Sequence, residues 1–214
     1  MSKRFALVGV VGTAVVLGGL GLTAWNAAAD SPAVDAGKAA AKRLQVGDPS
    51  PEWKELAGID DKKHSLKDLA KAKAVIVVFT CNHCPVARAY EDRLVALEED
   101  YKDKGVELVA INVNNMEADK LPAMKQRAEE KGFEFDYLYD PSQAIGRAFG
   151  ATVTPHAFVL DGKHKVAYMG AIDDSQDPSG VKQHFVRDAV DAVLAGQTPE
   201  VATSKQFGCG IQYE

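Results

Sequence analysis

Two kinds of apolar pattern alternate along this chain. The short continuous run Val75–Phe79 has the length and β-branched content of a strand buried on both faces, and Val106–Val113 reads as the next buried strand. Between them apolar residues return at helical spacing: Val86, Tyr90, Leu94 and Leu97 predict a helix from Pro85 to about Lys102. Ala118–Lys131 reads as the next helix, Phe133–Tyr139 as a strand, and Ser142–Phe149 as a short helix stopped at Gly150. Ala157–Leu160 and His164–Met169 predict a hairpin around a two-residue Asp161-Gly162 turn. Val181–Leu194 then closes the domain as a helix with Phe185, Ala189, Ala192 and Val193 inward. Upstream, Trp53–Leu69 predicts a short hairpin turning at Asp60-Asp61, followed by a helical turn at Ser65–Leu69. Strands alternating with helices, then a hairpin and a final helix, specify an α/β fold, a three-layer sandwich around a mixed central sheet.

The first 29 residues follow neither pattern. Lys3 and Arg4 precede an uncharged, Gly-rich apolar run from Phe5 to Ala29 that ends in the small-residue site Ala27-Ala28-Ala29. Such a segment is either a cleaved export signal or a retained span with Trp25 at the interface. Both readings place the rest of the chain outside the cytoplasm, in a periplasmic or other extracytoplasmic space where disulfides persist. Residues 30–43 read as a polar linker, 44–197 as one domain, and 198–214 as a tail carrying Cys209. The net charge of −5 becomes −7 once Lys3 and Arg4 are set aside. An acidic domain without a basic, aromatic-studded patch points away from nucleic acid, and membrane contact is confined to the N-terminal segment.

The candidate chemistry sits at one junction. Cys81 and Cys84 stand where the Val75–Phe79 run ends and the helix at Pro85 begins. A thiol reacts as the thiolate, and a helix N-terminus favours that anion. The functional reading is dithiol–disulfide exchange by two sulfurs on a solvent-reachable helical tip; the alternatives are half a zinc site or a static disulfide. A structural zinc needs four ligands, and the chain has no second Cys-x-x-Cys and no His-x-x-x-His. Pro85 stands where c-type haem attachment needs histidine. Neither metal nor cofactor is therefore expected. Between the thiols lie Asn82 and His83; a charged His83 would stabilise a neighbouring thiolate, and its alternative is an exposed polar residue. Thr154-Pro155 is either a cis peptide beside a buried strand or an ordinary loop proline. His156 is a ligand or base, or simply packed. Cys209, between Gly208 and Gly210, is an odd third thiol that resolves an intermediate, pairs with a partner, or stands idle.

Together these residues resemble the thioredoxin superfamily, in its peroxiredoxin-like redoxin branch (AhpC/TSA-type) with a Cys-x-x-Cys. The resemblance runs from Val46 to Tyr213. It rests on Gly47-Asp-Pro49, Ser65-Leu-Lys-Asp-Leu69, Phe79-Thr-Cys-Asn-His-Cys-Pro85, Tyr90-Glu-Asp-Arg-Leu94, Ile111-Asn-Val-Asn114, Thr154-Pro155, Gly170-Ala-Ile-Asp-Asp174 and Gly208-Cys-Gly-Ile211. It implies a thioredoxin-like fold, with Cys81 the nucleophile, Cys84 its resolving partner, and Thr80, Asn82, His83 and Pro85 in support. Thr154-Pro155 becomes the cis-proline loop facing the thiols. Two departures stand out. Thioredoxins usually carry tryptophan where this chain has Thr80. Peroxiredoxins align their peroxidatic cysteine with Cys84 and place threonine and proline where this chain has Cys81 and Val77. The implied activity is an exported thiol–disulfide oxidoreductase acting on a protein or small-molecule disulfide or thiol, served by a redox partner the sequence does not name. Its rivals are a peroxidase with Cys84 peroxidatic and Cys81 or Cys209 resolving, a copper-binding chaperone using the thiolates and a histidine, and a domain whose disulfide is only structural.

Overall fold

A computed structural model describes residues 43–214. The expected export segment, residues 1–29, and residues 30–42 of the expected linker lie outside them. Among the described residues no helix is long and apolar enough to cross a membrane.

The continuous apolar run becomes the central strand because it has a hydrophobic layer on each side. In β3 (Ala74–Phe79) all six residues are buried. Ala74, Ile76 and Val78 face one core, Val75, Val77 and Phe79 the other. β3 pairs in parallel with β4 (Val106–Asn112), which pairs in parallel with β5 (Asp136–Tyr139). On its other edge it pairs antiparallel with β7 (His156–Asp161), and β7 with β8 (Val166–Gly170). The upstream hairpin, β1 (Leu56–Gly58) and β2 (Lys63–His64), joins antiparallel to β5. The order is β2-β1-β5-β4-β3-β7-β8, a mixed sheet.

Helices cover both faces. On one side lie α2 (Glu91–Tyr101), α3 (Leu121–Lys131) and α5 (Phe185–Leu194), which bury Leu94, Leu97, Met124, Val186, Ala189 and Val190. On the other, α4 (Ala144–Phe149) packs Ile145 and Phe149 with Trp53 and Leu66. The thioredoxin-like three-layer sandwich is present. Burying these side chains at about 25 cal/mol per Å² of apolar surface is the main force closing it.

Several boundaries move. The helix expected over Pro85–Lys102 breaks: α1 (Pro85–Ala89) ends at Tyr90, and α2 restarts at Glu91. Tyr90 is pulled into the core, its hydroxyl donating to Asp173 Oδ1 at 2.7 Å while Arg93 Nη1 donates to Asp173 Oδ2 at 2.6 Å. The helix expected from Ala118 starts at Leu121, since Glu117–Asp119 forms a 3-10 turn and Pro122 suits the first helical turn. α5 starts at Phe185 and not Val181, because Asp174 Oδ1 accepts from the Lys182 and Gln183 amides and holds that stretch off the helix. Its inward face is Val186, Ala189 and Val190, with Phe185, Ala192 and Val193 only partly buried. The β7–β8 turn is longer than two residues. His164 takes the left-handed backbone conformation (φ 55°), and Asp161 Oδ1 accepts from the Lys163 and Lys165 amides.

The tail after residue 197 is folded onto the body. Ile211 joins the Phe149 core. β9 (Cys209–Gly210) pairs antiparallel with β6 (Val153–Thr154), opposing Thr154 to Cys209 and Val153 to Gly210.

Candidate active site

The carboxyl ends of β3 and β4 point to the same edge of the sheet, where loops of open α/β folds gather their chemistry. β3 delivers Thr80, Cys81, Asn82 and His83, and Cys84 caps α1 with its sulfur 3.4 Å from the Ala87 amide. Pro85 opens the helix and is exposed. β6 brings Thr154 against both sulfurs. Cys81 Sγ lies 3.1 Å from Thr154 Oγ1, and Cys84 Sγ 3.3 Å from the Thr154 carbonyl oxygen. The Thr154–Pro155 peptide is cis.

The bond at this corner is not the expected one. Cys84 is joined to Cys209, 125 residues away, with Cα atoms 5.9 Å apart, and Cys81 is a free thiol. The register explains the pairing: setting Cys209 opposite Thr154 stacks it beside the sulfur that Thr154 already touches. Cys81, Cys84 and Ala87 form one buried cluster with Cys209 packed against it.

Nor are the first two sulfurs solvent-reachable, as the sequence leads one to expect. Cys81 is 2% exposed and Cys84 not at all; Cys209, partly exposed, is the outward sulfur. The helix terminus serves Cys84 rather than Cys81. Burial pushes the Cys81 thiol up to about 11. The Thr154 hydroxyl and the His83 and Cys84 amides oppose that rise, while the negative charge of Asp119 adds to it.

Asp119 is the residue the sequence reading missed. Its side chain is fully buried between β4 and α3. Oδ1 accepts from the Asn82 amide at 2.8 Å and the His83 amide at 3.2 Å, and Oδ2 takes a short hydrogen bond from His83 Nδ1. Asn82 Nδ2 donates to the Ala118 carbonyl at 2.8 Å, and Tyr137 donates to Asn82 Oδ1 at 3.0 Å. Asn82 and His83 are thus half-buried pieces of a network, not exposed polar residues. The signal was faint: the polar run Asn112-Val-Asn114 at the end of β4, where Asn112 Nδ2 donates to the Asp119 carbonyl at 3.0 Å. One donor atom each from Cys81, His83 and Asp119 lies within 4.8 Å of the others, the donor set among the described residues that could take a metal ion.

His156 stands apart from the sulfurs. It is buried, its ring 4.6 Å from that of Phe158, its Nδ1 has no hydrogen-bond partner among the described residues, and burial pulls its pKa down to about 4. It lines a cavity of about 610 Å³ with Phe149, Met169, Gln206 and Tyr213.

Known proteins are similar to this chain in sequence and fold. Thiol-disulfide oxidoreductase ResA of Bacillus thuringiensis (strain Al Hakam) is 28% identical over 125 residues, 58% of this chain and 69% of ResA. An uncharacterized conserved protein from Geobacillus kaustophilus is 34% identical with a TM-score of 0.75, over 81% of this chain and 94% of that one. A thiol:disulfide interchange protein from Chlorobium tepidum TLS is 25% identical with a TM-score of 0.52, over 62% and 90%. Residues 45–184 match the Redoxin family, from ahead of the first strand to the residue before the last helix. A mixed sheet with helices on both faces, sulfurs at the end of its central strand and that match make the chain a member of the Redoxin family.

Proposed function

We propose that this protein is a thiol–disulfide oxidoreductase of an extracytoplasmic compartment, with Cys84–Cys209 as its exchanging bond and Cys81 as the third thiol. The observation that carries this reading is the gathering of three sulfurs around one corner, with the bond joining two separate elements. A disulfide uniting a helix cap to a surface strand is open to attack from outside at Cys209. An incoming thiolate bonds to Cys209 sulfur and the Cys84–Cys209 bond breaks, leaving Cys84 as thiolate. Either Cys84 or a second thiol then displaces the adduct, so the protein ends oxidised or reduced according to the partner. The activities named for ResA and for the Chlorobium protein support the reaction class, and both protein and small-molecule disulfides fall within it. The apolar N-terminal segment supports export, with residues 1–29 as signal or anchor, 30–43 as linker and 44–197 as the redoxin domain.

The test is equilibration of the oxidised protein in dithiothreitol and glutathione redox buffers, the Cys84–Cys209 link being read by mass spectrometry. A midpoint above about −300 mV is expected; a lower one marks an inert staple and ends the proposal. Peroxide consumption should match that of a free thiol, because Val77 and Cys81 stand where a peroxidase needs proline and threonine.

A further inference from the structure

The C-terminal strand sits where an external strand would. β9 is two residues long and adds to the edge of β6, itself two residues long, beside the Thr154–Pro155 corner. Beyond the pairing, Phe207 and Tyr213 pack against the two cores and Ile211 enters one of them. The Ile211 amide donates to the Thr152 carbonyl at 3.0 Å, Tyr213 to the Ala151 carbonyl at 2.8 Å, and Gln143 Nε2 to the Gln212 carbonyl at 2.8 Å. Gly208, Gly210 and Gln212 are exposed, and Ile211 is the one buried residue of the segment 206–214. Under this strand lies the free thiol of Cys81, which shares Thr154 with the disulfide.

Resting on the exchange activity proposed above, we propose that residues 206–214 are a self-docked substrate strand, released when Cys81 displaces Cys209 from Cys84, and that the vacated β6 edge takes an extended peptide whose cysteine follows a glycine. The release step balances without an outside oxidant. The Cys81 thiolate bonds to Cys84 sulfur, the Cys84–Cys209 bond breaks, and Cys209 leaves as a thiolate; Cys81 gives a proton to solvent and Cys209 takes one up. The strand then keeps a two-residue pairing, a few hydrogen bonds and the Phe207, Ile211 and Tyr213 contacts, none of them covalent, and so short a pairing is weak alone. In the reduced protein the same edge presents Cys84 to an incoming disulfide held by main-chain pairing.

The glycine requirement comes from the docked strand itself. Gly208 has φ 151°, a conformation side chains rarely adopt, and a Cβ there would collide with the Thr154 carbonyl oxygen. Gly210, on the far side of the cysteine, has open space around it. The residue before the cysteine is therefore read, and the one after it is not.

Two measurements on the full chain decide it. Amide exchange at Ile211 should be at least tenfold faster in oxidised C209S than in oxidised C81S, where the strand stays locked; equal rates overturn release. The reduced C81S/C209S double variant is then offered two ten-residue peptides as thionitrobenzoate mixed disulfides, one with Gly-Cys-Ala and one with Val-Cys-Ala at its centre. The Gly-Cys peptide should form its adduct on Cys84 at least tenfold faster, and equal rates overturn the docking. Reaction of the same variant with 5,5′-dithiobis(2-nitrobenzoate) separates the two claims. If this small disulfide reacts while the peptides go undiscriminated, the strand proposal falls and the oxidoreductase stands. If nothing reacts, both fall.

Discussion

Two segments meet at the sulfurs, and they are held by different means. Ala74–Cys84 arrives from a strand buried on both faces, and its loop amides are taken up by the fully buried Asp119. Gln206–Glu214 arrives along the surface, pairs over two residues and buries one side chain. The first segment is placed by core and network up to Cys84, where the bond to Cys209 begins. The second leans on that bond where the first has a core. The one therefore behaves as scaffold and the other as a part that chemistry can detach.

The comparison breaks hardest at Cys209. The Cys84–Cys209 link closes 125 residues of chain, and removing such a loop constraint from the unfolded state should cost about 5 kcal/mol. Urea unfolding of C209S against the oxidised parent measures it; a loss below about 1 kcal/mol would mean that the tail's weak contacts suffice.

Next comes acid. His156, beneath the tail, has a folded value of about 4 against an ordinary 6.5. A depressed histidine leaves stability complete above the unfolded value, and protons drawn to the unfolded chain erode it as pH falls from 6.5 towards 4. Between pH 7 and 4 this group alone should remove about 3 kcal/mol. His156→Phe should flatten that part of the profile; an unchanged slope would assign it elsewhere.

Asp119→Asn probes the scaffold side. It keeps an acceptor for the loop amides but loses the charged partner of His83, a cost of about 2 kcal/mol. It also removes a charge that raises the Cys81 thiol, so iodoacetamide should alkylate Cys81 faster at pH 8. A slower reaction would contradict the electrostatic role given to Asp119. The smallest effect is expected at Tyr213→Phe, which deletes one hydrogen bond to the Ala151 carbonyl and should cost about 1 kcal/mol in thermal unfolding.

Much of the fold was legible because local patterns and tertiary burial agree. The β3 run is apolar throughout and β4 is so apart from the exposed Glu107 and the terminal Asn112, a pattern strands adopt when covered on both faces. Element ends were less legible. Tyr90 continues the helical pattern, and only its reach to Asp173, 83 residues on, explains the break there. At the site, the strand–thiol–helix arrangement of Cys81, Cys84 and Pro85 could be read directly. Asp119 could not, since a carboxylate in a Glu-Ala-Asp turn looks like any solvated one until the loop from the neighbouring strand folds over it.

The order of residues determined which elements form and that two cysteines end the central strand, because spacing and hydrophobicity act over a few neighbours. Which sulfurs bond was decided only in three dimensions. A cysteine chooses its partner by distance and direction, and the β6–β9 register brings Cys209, not Cys81, into bonding position with Cys84.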